Sequence, residues 1–231
     1  MIDWNTRQAL TFDCYGTLVD WESGILSALR PILDAAGTPL DDESVLELYA
    51  RLEPEVQNEP YRPYRAVLAG VVDRLGAELG FRPSDDDRAI LAESIEHWDP
   101  FPDTIEALFA LKRRFKLGIL SNIDDDLFAG TARRLGIAFD WVVTAQQLGS
   151  YKPALANFEG ALDRIGLPRE SIVHVAQSLF HDVVPARSIG LSTVWVNRHG
   201  DRRGFGATPA AKARPDLEVP DLASLVTLIG L

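Results

Sequence analysis

From residue 103 onwards, short apolar runs alternate with segments of helical periodicity, and this alternation constrains the fold more than any other feature. The runs that predict strands are residues 117–120, 141–143, 172–175 and 193–196. Strands that alternate with helices form parallel sheets with helices on both faces. The sequence therefore predicts an α/β protein with a doubly wound, Rossmann-like parallel sheet.

The N-terminal part of the chain has a different pattern. Ala9-Leu10-Thr11-Phe12 predicts a first buried strand, whereas residues 20–96 carry helical periodicity and little strand signal. The second apolar stripe of this segment is interrupted at Pro54. We therefore predict an α/β core domain formed by residues 1–19 and 97–231, with a helical domain formed by residues 20–96 inserted into it.

Composition excludes several classes of function. The 231 residues carry a formal net charge of -11, which disfavours a surface for nucleic acid or anionic membrane. No apolar run approaches the ~20 residues that cross a bilayer, and the first five residues do not resemble a signal peptide. The single cysteine excludes an internal disulfide and a cysteine-built metal site. We expect a cytoplasmic protein that binds neither nucleic acid nor membrane.

Polar side chains follow the predicted strands at four points. Because the carboxyl ends of parallel strands meet at one edge of a sheet, these side chains should lie close together. Each has an ordinary explanation when taken singly, as a helix cap, a turn residue or a solvated lysine. Together they supply a candidate nucleophile, a cation, hydroxyl and amide groups and a second carboxylate, which favours an active site. The set comprises Asp13, Thr17, Ser121, Asn122, Lys152, Gln177, Ser178 and Asp182.

Four motifs in this order resemble those of the haloacid dehalogenase superfamily. They are Asp13-x-Tyr15-Gly16-Thr17-Leu18, Leu120-Ser121-Asn122, Tyr151-Lys152-Pro153 and a final segment that contains Asp182. The resemblance covers nearly the whole chain and implies a haloacid-dehalogenase-type core. It also implies that the inserted helical domain is a cap over the site.

Two positions distinguish between the reactions of this superfamily. Most members of this superfamily are magnesium-dependent phosphatases. Their first motif resembles Asp-x-Asp, and their fourth motif resembles Gly-Asp-Ser. Here the corresponding residues are Tyr15 and Gln177. Magnesium prefers anionic oxygen ligands, so the loss of an acid and of a ligand carboxylate disfavours phosphoryl transfer. A phosphatase with an altered magnesium site remains an alternative, as does a non-catalytic relative that binds a small carboxylate.

The first motif resembles instead that of the (S)-2-haloacid dehalogenases (type II), which use no metal and no cofactor. By this resemblance, Asp13 attacks the carbon that bears the halogen, and water hydrolyses the resulting ester to a 2-hydroxy acid. Lys152 is implied to stabilise the carboxylate of Asp13, and Thr17 to orient it. Asp182 is implied to position the hydrolytic water.

The resemblance also implies how a small carboxylate substrate is bound. Ser121 and the backbone near Tyr15 would hold its carboxylate, and Asn122 would face the departing halide. Gln177 and Ser178, in the fourth segment, complete the predicted substrate-binding residues.

The fourth motif departs from that of the dehalogenases, which resembles Ser-Ser-Asn-x-Trp-Asp. Leu179 stands where Asn is expected and His181 where Trp is expected, and Phe158 replaces a Tyr after the lysine motif. His181 could take part in water activation or could be a polar residue at a helix start. These departures concern the hydrolysis of the ester and the pocket rather than the nucleophile.

The dehalogenases carry an arginine in the cap that binds halide or carboxylate. Arg51 is the first candidate for this role, with Arg62 and Arg65 behind it, and each could equally be a surface arginine. A homodimer is common among similar proteins, although no feature of the sequence identifies an interface.

Overall fold

The centre of the molecule is a parallel sheet. The structure, a computed structural model, describes residues 2–58, 60–200 and 206–231, and within them the sheet has six strands in the order β3-β2-β1-β4-β5-β6. The strands are β1 (Ala9–Phe12), β2 (Lys116–Ser121), β3 (Trp141–Thr144), β4 (Ile172–Ala176), β5 (Ser192–Val196) and β6 (Leu217–Val219). All pairs are parallel, so the predicted fold class is confirmed.

The register brings the ends of the central strands together. Phe12 at the end of β1 is aligned with Ile119 in β2 and with Val175 in β4. The strand order reverses between β1 and β4, and crevices at such a reversal are where open parallel sheets bind ligands. Residues that directly follow β1, β2 and β4 therefore share one crevice.

Helices cover both faces of the sheet and form a separate layer after β1. This layer, which we call the helical insertion, comprises α1 (Trp21–Ala35), α2 (Asp42–Gln57), α3 (Tyr64–Leu79) and α4 (Asp85–Ser94). The other helices are α5 (Thr104–Lys112), α6 (Asp125–Leu135), α7 (Ala145–Leu148), α8 (Leu155–Ile165), α9 (Val184–Ser188) and α10 (Leu222–Ile229). A π-helical turn, Leu179–Val183, leads directly into α9.

Helix α2 continues through Pro54 and buries Val56 beyond it, so the prediction that this proline interrupts the apolar stripe is wrong. Proline lacks an N–H group and removes one hydrogen bond from a helix interior. Here Tyr49, Leu52 and Val56 lie on both sides of Pro54 and are almost completely buried. Their packing stabilises the helical conformation across the proline.

Buried apolar side chains form two clusters. The larger one covers one face of the sheet and is continuous with the interior of the helical insertion. The smaller one lies on the other face, where α8 and α9 pack on the sheet.

Strand β6 was not predicted, because its three residues carry too short a pattern to detect. In the described ranges, every helix is too short or too polar to cross a membrane.

Candidate active site

The turn after β1 holds Asp13 in place. Asp13 Oδ2 accepts a hydrogen bond from Thr17 Oγ1 at 2.8 Å, and Asp13 Oδ1 accepts one from Lys152 Nζ at 2.9 Å. The chain can turn back between Asp13 and Thr17 because Gly16 adopts a φ of +90°. A Cβ atom at this position would lie 2.8 Å from Trp21 Nε1. Only glycine fits this position, so the turn that Gly16 predicts is also what orients Asp13.

Lys152 connects three of the predicted segments. Its Nζ donates to Asp13 Oδ1 (2.9 Å), to Asp182 Oδ1 (2.7 Å) and to the carbonyl oxygen of Leu120 (2.9 Å), and the residue is 1% exposed. Asn122 holds the Lys152 backbone, because its Oδ1 accepts from the Lys152 N–H (2.7 Å) and its Nδ2 donates to the Lys152 carbonyl (3.0 Å). Lys152 is therefore not a solvated loop lysine.

Asp182 lies in the π-helical turn and is fixed from two sides. Its Oδ1 pairs with Lys152 and also with His174 Nε2 at 2.9 Å, while His174 Nδ1 pairs with Thr11 Oγ1 at 2.9 Å. Phe158 packs edge-on against the His174 ring. The other oxygen of Asp182, Oδ2, is buried with no hydrogen-bond partner in the described part of the chain.

Burial and charge act in opposite directions on these groups. Burial raises the pKa of Asp13, and the charge of Lys152 and its hydrogen bond oppose that rise. Burial also raises the pKa of Asp182, but Lys152 and His174 outweigh it and lower the pKa to about 2. The pKa of Lys152 is lowered by burial and raised more strongly by the two carboxylates. The site thus holds an ammonium group between two carboxylates.

The remaining residues of the fourth segment divide between two positions. Ser178 Oγ accepts from the His181 N–H at 2.9 Å, and His181 Nε2 is buried without a partner in the described residues. Burial lowers the pKa of His181 to about 4, so its ring is neutral at neutral pH. Gln177 does not enter the pocket: its N–H donates to Thr17 Oγ1 at 2.9 Å, and its side chain lines a neighbouring cavity. The structure therefore places Gln177 behind the turn that holds Asp13, and its selection as a pocket residue needs correction.

A cavity of about 40 Å³ lies against Asp13. This is space for a few water-sized groups, which suits a very small ligand. Three buried atoms without partners in the described residues, Ser121 Oγ, His181 Nε2 and Asp182 Oδ2, belong to residues that line it. The lining residues are Asp13, Tyr15, Trp21, Glu53, Tyr64, Ser121, Asn122, Lys152, Ser178, His181, Asp182 and Thr208.

Glu53 is the residue of the helical insertion that sequence reasoning missed. It is 3% exposed, lines the cavity from α2, and accepts hydrogen bonds at Oε1 from Tyr64 OH (2.5 Å) and Tyr49 OH (3.3 Å). Its position four residues after Tyr49, on the buried face of α2, was the signal that could have found it. Thr208 carried no such signal, because it lies in an irregular segment.

Arg51 does not lie at the site, and its selection as a pocket residue needs correction. Its guanidinium pairs with Glu78 and, at 3.8 Å, with Glu55, and half of the side chain is exposed. Arg65 pairs with Asp126 at 2.8 Å. No arginine of the described residues, Arg62 included, lines the cavity.

The side chains around Asp13 do not fit a magnesium ion. Tyr15 turns its hydroxyl away to Thr131 Oγ1 at 2.8 Å, and Asp13 and Asp182 both use one oxygen to bind Lys152. Within the described ranges no three His, Cys, Asp or Glu side chains form a group that could hold a metal ion. Magnesium requires several hard oxygen ligands in octahedral geometry, and this donor set does not offer them.

Comparison with known proteins finds both dehalogenases and a phosphatase among similar proteins. A family model described as haloacid dehalogenase-like hydrolase matches residues 8–190. The chain is 27% identical to haloacetate dehalogenase H-2 of Moraxella sp. (strain B), over 97% of this chain and 98% of the relative. It is 31% identical to a glyceraldehyde 3-phosphate phosphatase of Methanothermobacter thermautotrophicus, over 82% and 85%. A crystal structure of an L-2-haloacid dehalogenase is similar with a TM-score of 0.79 and 26% identity, covering 97% and 100% of the two chains.

Proposed function

The chain belongs to the haloacid dehalogenase-like hydrolase family, and from that premise we propose that it hydrolyses the carbon–halogen bond of short 2-haloacids without a metal. The observation that carries this proposal is the pairing of Asp13 with Lys152 and Thr17 in a cavity of about 40 Å³. A carboxylate held in this way can attack carbon, and the cavity accepts a molecule of haloacetate size. The dehalogenases among the similar proteins support the same substrate class.

In the first step, one oxygen of Asp13 attacks C2 of the substrate. The new C–O bond forms as the carbon–halogen bond breaks, and the halide leaves with the bonding electrons. Lys152 keeps Asp13 ionised in its buried position, because its ammonium offsets the desolvation of the carboxylate. Ser121 Oγ, buried and without a partner in the described residues, is available to donate to the substrate carboxylate.

In the second step, water attacks the carbonyl carbon of the Asp13 ester. Asp182 Oδ2 is the acceptor available to bind this water and take its proton, because Oδ1 is already engaged by Lys152 and His174. The tetrahedral intermediate then collapses and expels the alkoxide of the product, which takes the proton that remains on the added hydroxyl group. This step regenerates the Asp13 carboxylate and releases a 2-hydroxy acid with inverted configuration, and Asp182 passes its own proton to solvent. His181 lines the same cavity, and its Nε2, which has no partner in the described residues, is available to hold the water in place.

The leaving group also favours dehalogenation over phosphate ester hydrolysis. An alcohol that leaves a phosphate needs a proton, whereas a halide does not. Tyr15, at the position where a phosphatase is expected to carry its acid, uses its hydroxyl on Thr131. The glyceraldehyde 3-phosphate phosphatase among the relatives makes a phosphatase the second candidate.

The test is halide release from chloroacetate and from each enantiomer of 2-chloropropionate, in the presence of EDTA. We expect release that resists EDTA, favours the (S) enantiomer and is abolished in Asp13→Asn. Asp163→Asn, at an exposed position of α8, is the matched control and should retain full activity. Phosphate ester hydrolysis that requires added magnesium would support the phosphatase instead. Binding of carboxylates without any turnover would support a non-catalytic relative.

Three further expectations belong to this proposal. The helical insertion, residues 20–96 in the predicted division, would act as a cap that covers the site during turnover. The protein would work in the cytoplasm. It would form a homodimer, which size-exclusion chromatography with light scattering can check.

A further inference from the structure

We propose that Glu53 is the group of the helical insertion that binds the substrate's carboxylate, and that it does so as a neutral carboxylic acid. This inference rests on the proposed function, because it takes a small carboxylate as the substrate. It assigns to Glu53 the contact that an arginine was expected to make.

The two tyrosines determine how Glu53 presents itself to the cavity. Tyr64 OH and Tyr49 OH both donate to Glu53 Oε1, at 2.5 and 3.3 Å, and the two hydroxyls lie 3.2 Å apart. Because Oε1 already accepts two hydrogen bonds, a proton taken up by Glu53 goes to Oε2 rather than to Oε1. The proton then resides on Oε2, where the acid can donate to a ligand in the cavity that Glu53 lines.

The charges across the cavity favour that neutral form. Facing Glu53 from the core are Asp13, Asp182, Lys152 and His181, and His181 is neutral at neutral pH. The two carboxylates and the ammonium leave one net negative charge before any ligand enters. An ionised Glu53 would add a second negative charge beside an anionic substrate, which would repel it.

The tyrosines that surround Glu53 are neutral and do not change the charge balance of the cavity. Tyr49 and Tyr64 have pKa values well above the ordinary one because of burial and the charge of Glu53, and burial also raises the pKa of Tyr151 on the core side. All three therefore stay neutral hydroxyls over the working range of pH. On the insertion side of the cavity, protonation of Glu53 is therefore the change that removes the repulsion near neutral pH.

Protonation is accessible near neutral pH. Burial raises the pKa of Glu53 to about 7, and hydrogen bonds from Tyr64 and Tyr49 limit the rise. An anionic ligand in the cavity raises this pKa further. Binding of a carboxylate should therefore take up a proton. Affinity should fall as the pH rises above 7, and the fall should approach tenfold per pH unit as the neutral fraction of Glu53 becomes small.

The experiment measures binding of propionate, an unreactive carboxylate, by isothermal titration calorimetry between pH 6 and 8.5. Titrations in two buffers of different ionisation enthalpy give the number of protons taken up. We expect uptake approaching one proton at pH 8 and about fivefold weaker binding at pH 8 than at pH 7. In Glu53→Gln, whose amide can still donate, we expect no uptake, a flat pH dependence and affinity within a few-fold of wild type at pH 6. Glu47→Gln, at an exposed position of the same helix, should behave as wild type.

Several results would overturn the proposal. Proton uptake that persists in Glu53→Gln would assign the proton to another group, such as Asp13. Tighter binding of 3-aminopropionate than of propionate, lost in Glu53→Gln, would show that Glu53 is ionised and selects cationic groups. Absence of propionate binding at pH 6 in a folded protein would also refute it. Proton-coupled binding without halide release from any haloacid would instead leave this inference standing and refute the proposed reaction.

Discussion

Replacement of Lys152 by methionine tests the electrostatic core of the site. Lys152 is 1% exposed, and its Nζ binds Asp13, Asp182 and the carbonyl of Leu120 within 2.9 Å. Methionine keeps most of the side-chain volume and removes the charge. The variant then holds two buried carboxylates with no cation between them.

The expected loss of unfolding free energy in Lys152→Met is large, because the substitution leaves an unpaired buried charge. Removal of one partner of a buried ion pair costs about 3–5 kcal/mol, a substantial part of the 5–15 kcal/mol that stabilises a typical domain. The carboxylates can reduce this loss by taking up a proton. Since Lys152 no longer lowers their pKa values, one of Asp13 and Asp182 should titrate well above its value in the unfolded chain.

The sign of the pH effect follows from that shift. A group whose pKa is raised in the folded state loses stabilisation as pH rises through the folded pKa. The loss in Lys152→Met at pH 8 should therefore exceed the loss at pH 5, by about 1.4 kcal/mol for each unit by which the new pKa exceeds 5. Urea unfolding at both pH values, followed by circular dichroism, measures it.

Two control variants show whether the effect is specific to the position of Lys152 between two carboxylates. Lys212→Met, at an exposed position, should change the free energy of unfolding by less than about 0.5 kcal/mol at either pH. Adding Asp182→Asn to Lys152→Met removes one of the two carboxylates and should recover part of the stability at pH 8. A loss in Lys152→Met that is below 1 kcal/mol, or equal at pH 5 and pH 8, would refute the reasoning.

Three further changes have expected outcomes. Gly16→Ala should destabilise by about 1–3 kcal/mol in urea unfolding and lower halide release, because a φ of +90° disfavours alanine and its Cβ would press on Trp21. Asp124→Ala should cost about 1–2 kcal/mol and speed hydrogen exchange at the start of α3, since Asp124 accepts from the N–H groups of Tyr64 (2.8 Å) and Arg65 (2.9 Å). Between pH 4.5 and 7, wild type should lose about 3 kcal/mol of unfolding free energy relative to Glu53→Gln, because the pKa of Glu53 is raised from 4.5 to about 7. Equal slopes of stability against pH in both proteins would contradict the last expectation.

The core side of the site was predictable because a parallel sheet converts sequence order into position. Asp13, Ser121 and Asp182 are more than 60 residues apart in sequence at each step, yet each lies at or after the carboxyl end of a strand, and these ends share one edge of the sheet. Lys152 was found by the same argument although it follows α7 rather than a strand. The three acceptors of Lys152 Nζ could not be predicted from the sequence, because they depend on the distances between those segments.

The insertion side was predicted wrongly, because the choice of Arg51 relied on side-chain charge whereas helix phase decides which residue faces the cavity. Arg51 and Glu53 are two positions apart in α2 and point about 200° away from each other around the helix axis. Chemistry alone favoured the arginine as the partner of an anion. The apolar stripe that contains Tyr49 identifies the buried face, and Glu53 lies on it whereas Arg51 does not. Periodicity was therefore a better guide here than charge.

The two sides of the cavity together determine how the site responds to pH. On the core side, Lys152 is fixed between Asp13 and Asp182, and the pKa of Asp182 near 2 leaves that carboxylate ionised throughout the physiological range. On the insertion side, Glu53 changes charge near pH 7. Protonation of Glu53 can therefore change affinity for an anion while Lys152 and Asp182, which surround Asp13, keep their charge. We accordingly expect KM to rise above pH 7 more steeply than kcat falls, and equal changes in both would argue against a role for Glu53 in binding.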